Sequence, residues 1–94
     1  MGKTLSERAE DYLRGTYEIT EQKGYARIRD IAKELGVQPS TAVEMMKKLD
    51  REGLVVYEKY GGVTLTSRGR KTAEIIKKRR ETFMKLLEII LVPR

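Results

Sequence analysis

The stretch AKELGVQPSTAVEMMKKL, residues 32–49, sets a glycine and a proline three positions apart between two runs of helical spacing. Upstream, Ile28, Ile31, Ala32 and Leu35 recur at i, i+3, i+4 and i+7 and Gly36 follows as a stop, so a helix is expected near 29–35. Downstream, Pro39 suits the first turn of a new helix, where no amide partner is lost, with Gln38 before it as a weak cap. Ala42, Val43, Met46, Leu49 and Asp50 then run down one side until Gly53, while Ser40, Thr41, Glu44, Lys47 and Lys48 occupy the other. A chain that stops a helix, turns within four residues and restarts at a new angle is a helix-turn-helix whose second helix turns a polar face outward.

On the N-terminal side, Thr4 and Glu7 have capping-box spacing, and Leu5, Ala9, Tyr12, Leu13, Thr16, Tyr17 and Ile19 recur in steps of three and four, predicting a helix from about residue 5 to 22 that Gly24 ends. On the C-terminal side the period changes. LVVYEKYGGVTLT, residues 54–66, is rich in β-branched and aromatic residues and is split by Gly61-Gly62, the pattern of two strands in a tight hairpin. A long helix follows, capped by Thr66 or Ser67, with Ala73, Ile76, Phe83, Leu87 and Ile90 on its buried line and Gly69 costing the first turn a little stability. The predicted fold is mainly α with a small two-stranded antiparallel β-wing, a winged helix-turn-helix over residues 1–75. Its last helix, 67–90, leads toward a dimerisation region.

The chain has 94 residues, 39% apolar and 36% charged, without cysteine or histidine. Its size fits one small domain, and no apolar run approaches the ~18 residues of a membrane span. A cytoplasmic protein without disulfides is expected. Catalysis is not: no Ser/His/Asp or Cys/His set can be assembled, and no glycine-rich phosphate loop precedes a helix. The net charge of +6 is accounted for by segment 66–85, where Arg68, Arg70, Lys71, Lys77, Lys78, Arg79, Arg80 and Lys85 face only Glu74 and Glu81. Such a surplus attracts nucleic acid or acidic membrane surfaces, or is a solvated helix face.

A major groove about 12 Å wide admits one helix, whose first turns reach base edges while flanking cations grip phosphates. Gln38, Pro39, Ser40, Thr41 and Glu44 are therefore the base-reading candidates on a recognition helix of about 39–52, since Gln pairs with adenine, Glu accepts from cytosine and a Thr methyl meets thymine. Arg27, Arg29, Lys47, Lys48, Lys59, Tyr60 and Arg68 are the backbone candidates. Met45, Met46, Tyr12 and Tyr17 read as packing residues. The competing reading is a winged-helix protein-interaction module that makes no specific DNA contacts.

From about Glu10 to Ile90 the sequence resembles the N-terminal DNA-binding domain of the DtxR/MntR family of metal-dependent repressors, through EDYL, KGYARIRDIA, VQPS, KLDREGLV and YEKYGGVTLTSRG in order and spacing. The resemblance implies a dimeric repressor on a palindromic operator of double-stranded DNA, responding to manganese or iron. It also implies metal ligands at the positions of Asp11, Arg14 and Arg80. Of these only Asp11 can coordinate, because an arginine keeps its proton and has no free lone pair. No cofactor is expected in this chain except through the resemblance, and Arg80 is expected to face Asp11 and replace the metal as a link between the first and fourth helices. The terminal LVPR, 91–94, matches half of a thrombin site and reads as a cloning remnant, and the stripe Phe83, Leu86, Leu87, Ile90 predicts self-association or cover by further sequence.

Overall fold

The computed structural model describes residues 5–91. In chain order it contains α1 (Glu7–Lys23), α2 (Ile28–Leu35), α3 (Pro39–Arg51), β1 (Val55–Glu58), β2 (Gly62–Leu65) and α4 (Ser67–Leu91). This is the winged helix-turn-helix expected from the sequence. None of the described helices is long and apolar enough to cross a membrane.

The turn between α2 and α3 is a Schellman cap. Gly36 takes the left-handed conformation, φ 66°, and donates its N–H to the Lys33 carbonyl, while the Val37 N–H reaches the Ala32 carbonyl at 3.0 Å. Val37 then packs on the core. Gln38 is extended and Pro39 opens α3. The two helices are thus separated by three residues, all with backbone roles.

Ala42, Met46 and Leu49 anchor α3 with no exposed surface, against a core that includes Leu13, Ile31, Ala32, Val55 and Val63. Burying a Met46-sized side chain contributes about 2 kcal/mol. Asp50, read from the sequence at the edge of this stripe, is exposed instead, and its carboxylate accepts the Tyr57 N–H at 2.9 Å. The wing is stitched to α3 by that bond. β1 and β2 pair antiparallel from Val55 opposite Leu65 to Glu58 opposite Gly62, so the hairpin turn is Lys59–Tyr60–Gly61 and not the expected Gly61-Gly62. Gly62 lies inside β2, where the Ala26 carbonyl passes within 2.8 Å of where a Cβ would stand. Ala26 and Val63 exchange both backbone bonds, at 3.3 and 2.7 Å, adding a short third edge to the wing.

The cap of α1 is also corrected. Ser6, not Thr4, accepts the Ala9 N–H at 3.1 Å, so the helix starts at Glu7 with Glu7 and Glu10 in its positive first turn. Thr4 lies outside the described residues. On α4 the buried line holds only through Gly69, Ala73 and Ile76; Phe83 and Ile90, expected inside, are 60% and 72% exposed. Past Ile76 the side chains of α4 are mostly exposed, and a 25-residue helix of about 37 Å accounts for much of the 52 Å long axis.

Gly69 departs furthest from its sequence reading. It is buried, and a Cβ there would overlap the Leu54 carbonyl oxygen. The first turn of α4 sits directly on that backbone. Thr66 completes the junction: its hydroxyl accepts the Gly69 N–H at 2.9 Å and lies 2.7 Å from the Gly53 carbonyl oxygen. Gly69→Ala is therefore expected to lower stability by at least about 2 kcal/mol through overpacking, although the same change in an open helix raises it by about 1 kcal/mol. Urea unfolding of the variant distinguishes the two signs. Thr66→Val removes the cap and is expected to cost about 1–2 kcal/mol in the same measurement.

Candidate nucleic-acid interface

With Ala42, Met46 and Leu49 buried, α3 presents Pro39, Ser40, Thr41, Glu44, Lys47, Lys48 and Arg51 to solvent on its remaining surface. Gln38 is exposed and makes no side-chain cap bond, which leaves its amide free to meet a partner. No acidic residue stands in the first turn, so the positive end of the helix dipole is uncancelled there. Glu44 is met loosely by Lys47 at 3.9 Å, with both side chains at least half exposed. Such a pair contributes little to stability and separates easily.

The start of α2, the start of α3 and the wing tip converge. They line an open groove of about 570 Å³ that includes Tyr25, Arg27, Arg29, Pro39, Lys59 and Tyr60. Five of these six were singled out from the sequence. Tyr25 was not, and its only signal is position, an aromatic residue just before the Ala26 that pairs with the wing. The Arg27 guanidinium lies 5.2 Å from the Tyr25 ring centroid, which restrains a long side chain at the groove wall. At the wing tip, Tyr60 is 91% exposed with the Lys59 ammonium 5.4 Å from its ring. The Ala26–Val63 bonds hold the wing and the α2 entrance at fixed separation, so the cations across the groove keep their spacing.

Charge is sorted by pairing. Arg27, Arg29, Lys48, Arg51 and Lys59 make no ion pair among the described residues. Most carboxylates of the same half are engaged: Asp11 and Glu18 with Arg14, Asp30 with Lys23, Glu10 with Arg79, Glu21 with Arg70, and Asp50 with the Tyr57 amide. A half of the chain that is neutral by count thus shows unpaired cations around α3. Arg68 does not join them. Its guanidinium donates to the Glu52 carbonyl at 2.8 Å, capping the end of α3, so the structure gives it a structural partner.

The α1–α4 contact differs from its expected form. Asp11 pairs with Arg14 at 3.5 Å on its own helix, and among the described residues no ion pair joins it to Arg80. The bridges between the helices run from Glu10 to Arg79 at 3.3 Å and from Glu21 to Arg70 at 3.1 Å. Tyr17 adds a hydroxyl bond to Glu74 at 3.4 Å. Burial, with Glu21 and Glu74 beside it, pushes the Tyr17 phenol above its usual range and keeps it a donor. The donor set here does not fit a divalent metal. Among the described residues no three of His, Cys, Asp or Glu converge, and Asp11 has a guanidinium for its neighbour.

Comparison with known proteins agrees with this geometry. The sequence profile of the iron dependent repressor, N-terminal DNA binding domain, matches residues 4–63. The HTH-type transcriptional regulator MntR of Bacillus subtilis (strain 168) is 44% identical over 81 residues, covering 86% of this chain and 57% of the relative. MntR of Geobacillus kaustophilus (strain HTA426) matches to the same extent. The chain therefore spans little more than half the length of these relatives. Among solved structures, ScaR with bound Zn2+ is 30% identical with a TM-score of 0.73, over 92% of this chain and 40% of that one. NadR in complex with 4-hydroxyphenylacetate superposes with a TM-score of 0.78 at 21% identity, over 95% of this chain and 65% of that one, a likeness of fold alone. Profile, relatives and fold converge on the sequence resemblance: the chain belongs to the iron-dependent repressor family, the DtxR/MntR type, as its N-terminal winged-helix domain.

Proposed function

We propose that this chain is the DNA-reading part of a cytoplasmic transcriptional repressor that binds a palindromic operator as a homodimer. α3 enters the major groove, with Gln38, Pro39, Ser40, Thr41 and Glu44 at base edges. Arg27, Arg29, Lys47, Lys48, Lys59 and Tyr60 hold the phosphates on either side. The observation that carries this reading is the outward first turn of α3, with an uncapped Gln38 and no acidic residue in that turn, set beside a groove whose Arg27, Arg29 and Lys59 make no ion pair among the described residues and outnumber its one carboxylate, Glu58. The exposed apolar surface at Phe83, Leu86 and Ile90 on the free half of α4 supports assembly with a second copy. A protein-interaction module is the weaker reading, since it leaves the unpaired cations around α3 without a role.

Fluorescence anisotropy on duplex DNA across a salt series tests it. Phosphate neutralisation gives a log-log slope of about −0.9 per contact, and Lys47→Glu with Lys48→Glu is expected to flatten the slope by about two contacts and weaken binding at least tenfold. An unchanged slope would falsify the docking mode. Gln38→Ala is expected to weaken the preferred sequence by about 1–3 kcal/mol while leaving binding to random duplex nearly unchanged. Selection from randomised duplexes is expected to return inverted half-sites about 10 base pairs apart.

A further inference from the structure

Between α1 and α4 runs an open groove of about 450 Å³, lined by Arg14 and Glu18 of α1 and by Lys77, Arg80, Glu81, Met84 and Lys85 of α4. We propose that this groove binds a small phosphate anion, at the place where the family resemblance puts a divalent cation. Of the seven lining residues four are cationic, two are carboxylates and the last is Met84. Glu18 is already held by Arg14 at 3.3 Å, which leaves Glu81 as the one lining carboxylate without an ion pair among the described residues.

Three of the four cations are uncommitted, Arg14 alone being paired. Arg80 and Lys85 make no ion pair among the described residues, and Lys77 has only the Tyr17 ring, 5.9 Å from its ammonium. Around the axis of α4, Lys77 lies between Arg80, about 60° to one side, and Lys85, about 80° to the other. Like charges three apart repel, so an anion between them relieves a strain the helix otherwise carries. Arg14 supplies the rear wall. Its side chain is only 18% exposed and is fixed by Asp11 at 3.5 Å and Glu18 at 3.3 Å, so it shapes the groove while the unpaired Lys77, Arg80 and Lys85 supply the positive field. The unpaired Arg80 guanidinium presents a planar fork of donors that matches phosphate oxygens and offers nothing to a metal cation. The same chemistry that rejects a cation thus selects an oxyanion.

The inference does not rest on the DNA-binding reading, and its test contains no DNA. Inorganic phosphate is titrated into the isotope-labelled chain against sodium chloride at constant ionic strength, and nitrogen–proton correlation spectra are followed. Saturable shifts are expected at the Arg14 and Arg80 side-chain Nε–H signals and at α4 amides near 77–85. Arg80→Gln with Lys85→Gln, both on the exposed part of α4, is expected to weaken phosphate binding at least tenfold. Lys71→Gln, an α4 cation outside the groove, is expected to leave the titration unchanged. Linear shifts spread over all cations and equal in the variants would mean counter-ion screening only and would overturn the proposal. So would a saturable manganese response centred on Asp11 with none from phosphate.

Discussion

Three backbone carbonyls in the turn between α3 and β1 lock the wing and α4 to the recognition helix. The Glu52 oxygen receives the Arg68 guanidinium, the Gly53 oxygen receives the Thr66 hydroxyl, and the Leu54 oxygen receives the Thr66 N–H while α4 rests on it through Gly69. These carbonyls lie just past the helix, where no ladder supplies a donor, so each would otherwise need water. Here each is answered from the segment that follows the wing. One consequence is geometric: the end of α3, both ends of the hairpin and the start of α4 meet within a few residues, and none can rotate alone. The recognition face is set by this junction as much as by the core beneath it.

The stiffness continues on the opposite side of the wing. Asp50 binds the Tyr57 amide and Ala26 binds Val63, so β1 is tied to α3 while β2 is tied to the entrance of α2. A two-stranded hairpin is marginal alone in water. With a bond from each strand to a different helix, its tip becomes a fixed wall of the groove. Preorganisation of this kind reduces the ordering cost of binding a rigid duplex.

Most of the fold was legible because helical period, Gly36, Pro39 and the change to β-branched residues all report on local backbone states. What was not legible depends on contacts distant in sequence. Gly69 reads as a mild defect until the Leu54 carbonyl is seen against it. Asp50 reads as part of the buried stripe because the stripe's edge is decided by a wing amide seven residues on. The buried line of α4 was extended past Ile76 because periodicity marks which face is apolar and not whether anything stands opposite it. Around the candidate interface, residue types were readable and pairing was not. The bond from Arg68 to the Glu52 carbonyl has no signal in the sequence, and Tyr25 has none beyond its place beside Ala26.

Net charge was the most misleading quantity. By count, the surplus of positive charge belongs wholly to segment 66–85, while the rest of the chain is neutral. In the folded molecule α4 spends part of that surplus on α1, through Arg70 to Glu21 and Arg79 to Glu10. Those bridges turn α1 carboxylates toward α4 and away from α3, and the cations around α3 keep their field. Exposed ion pairs contribute little to stability, so their main physical effect here is on the distribution of potential. A helix whose cations stand apart from the recognition surface thereby sustains that surface's charge, and its unpaired Lys77, Arg80 and Lys85 open onto a second groove.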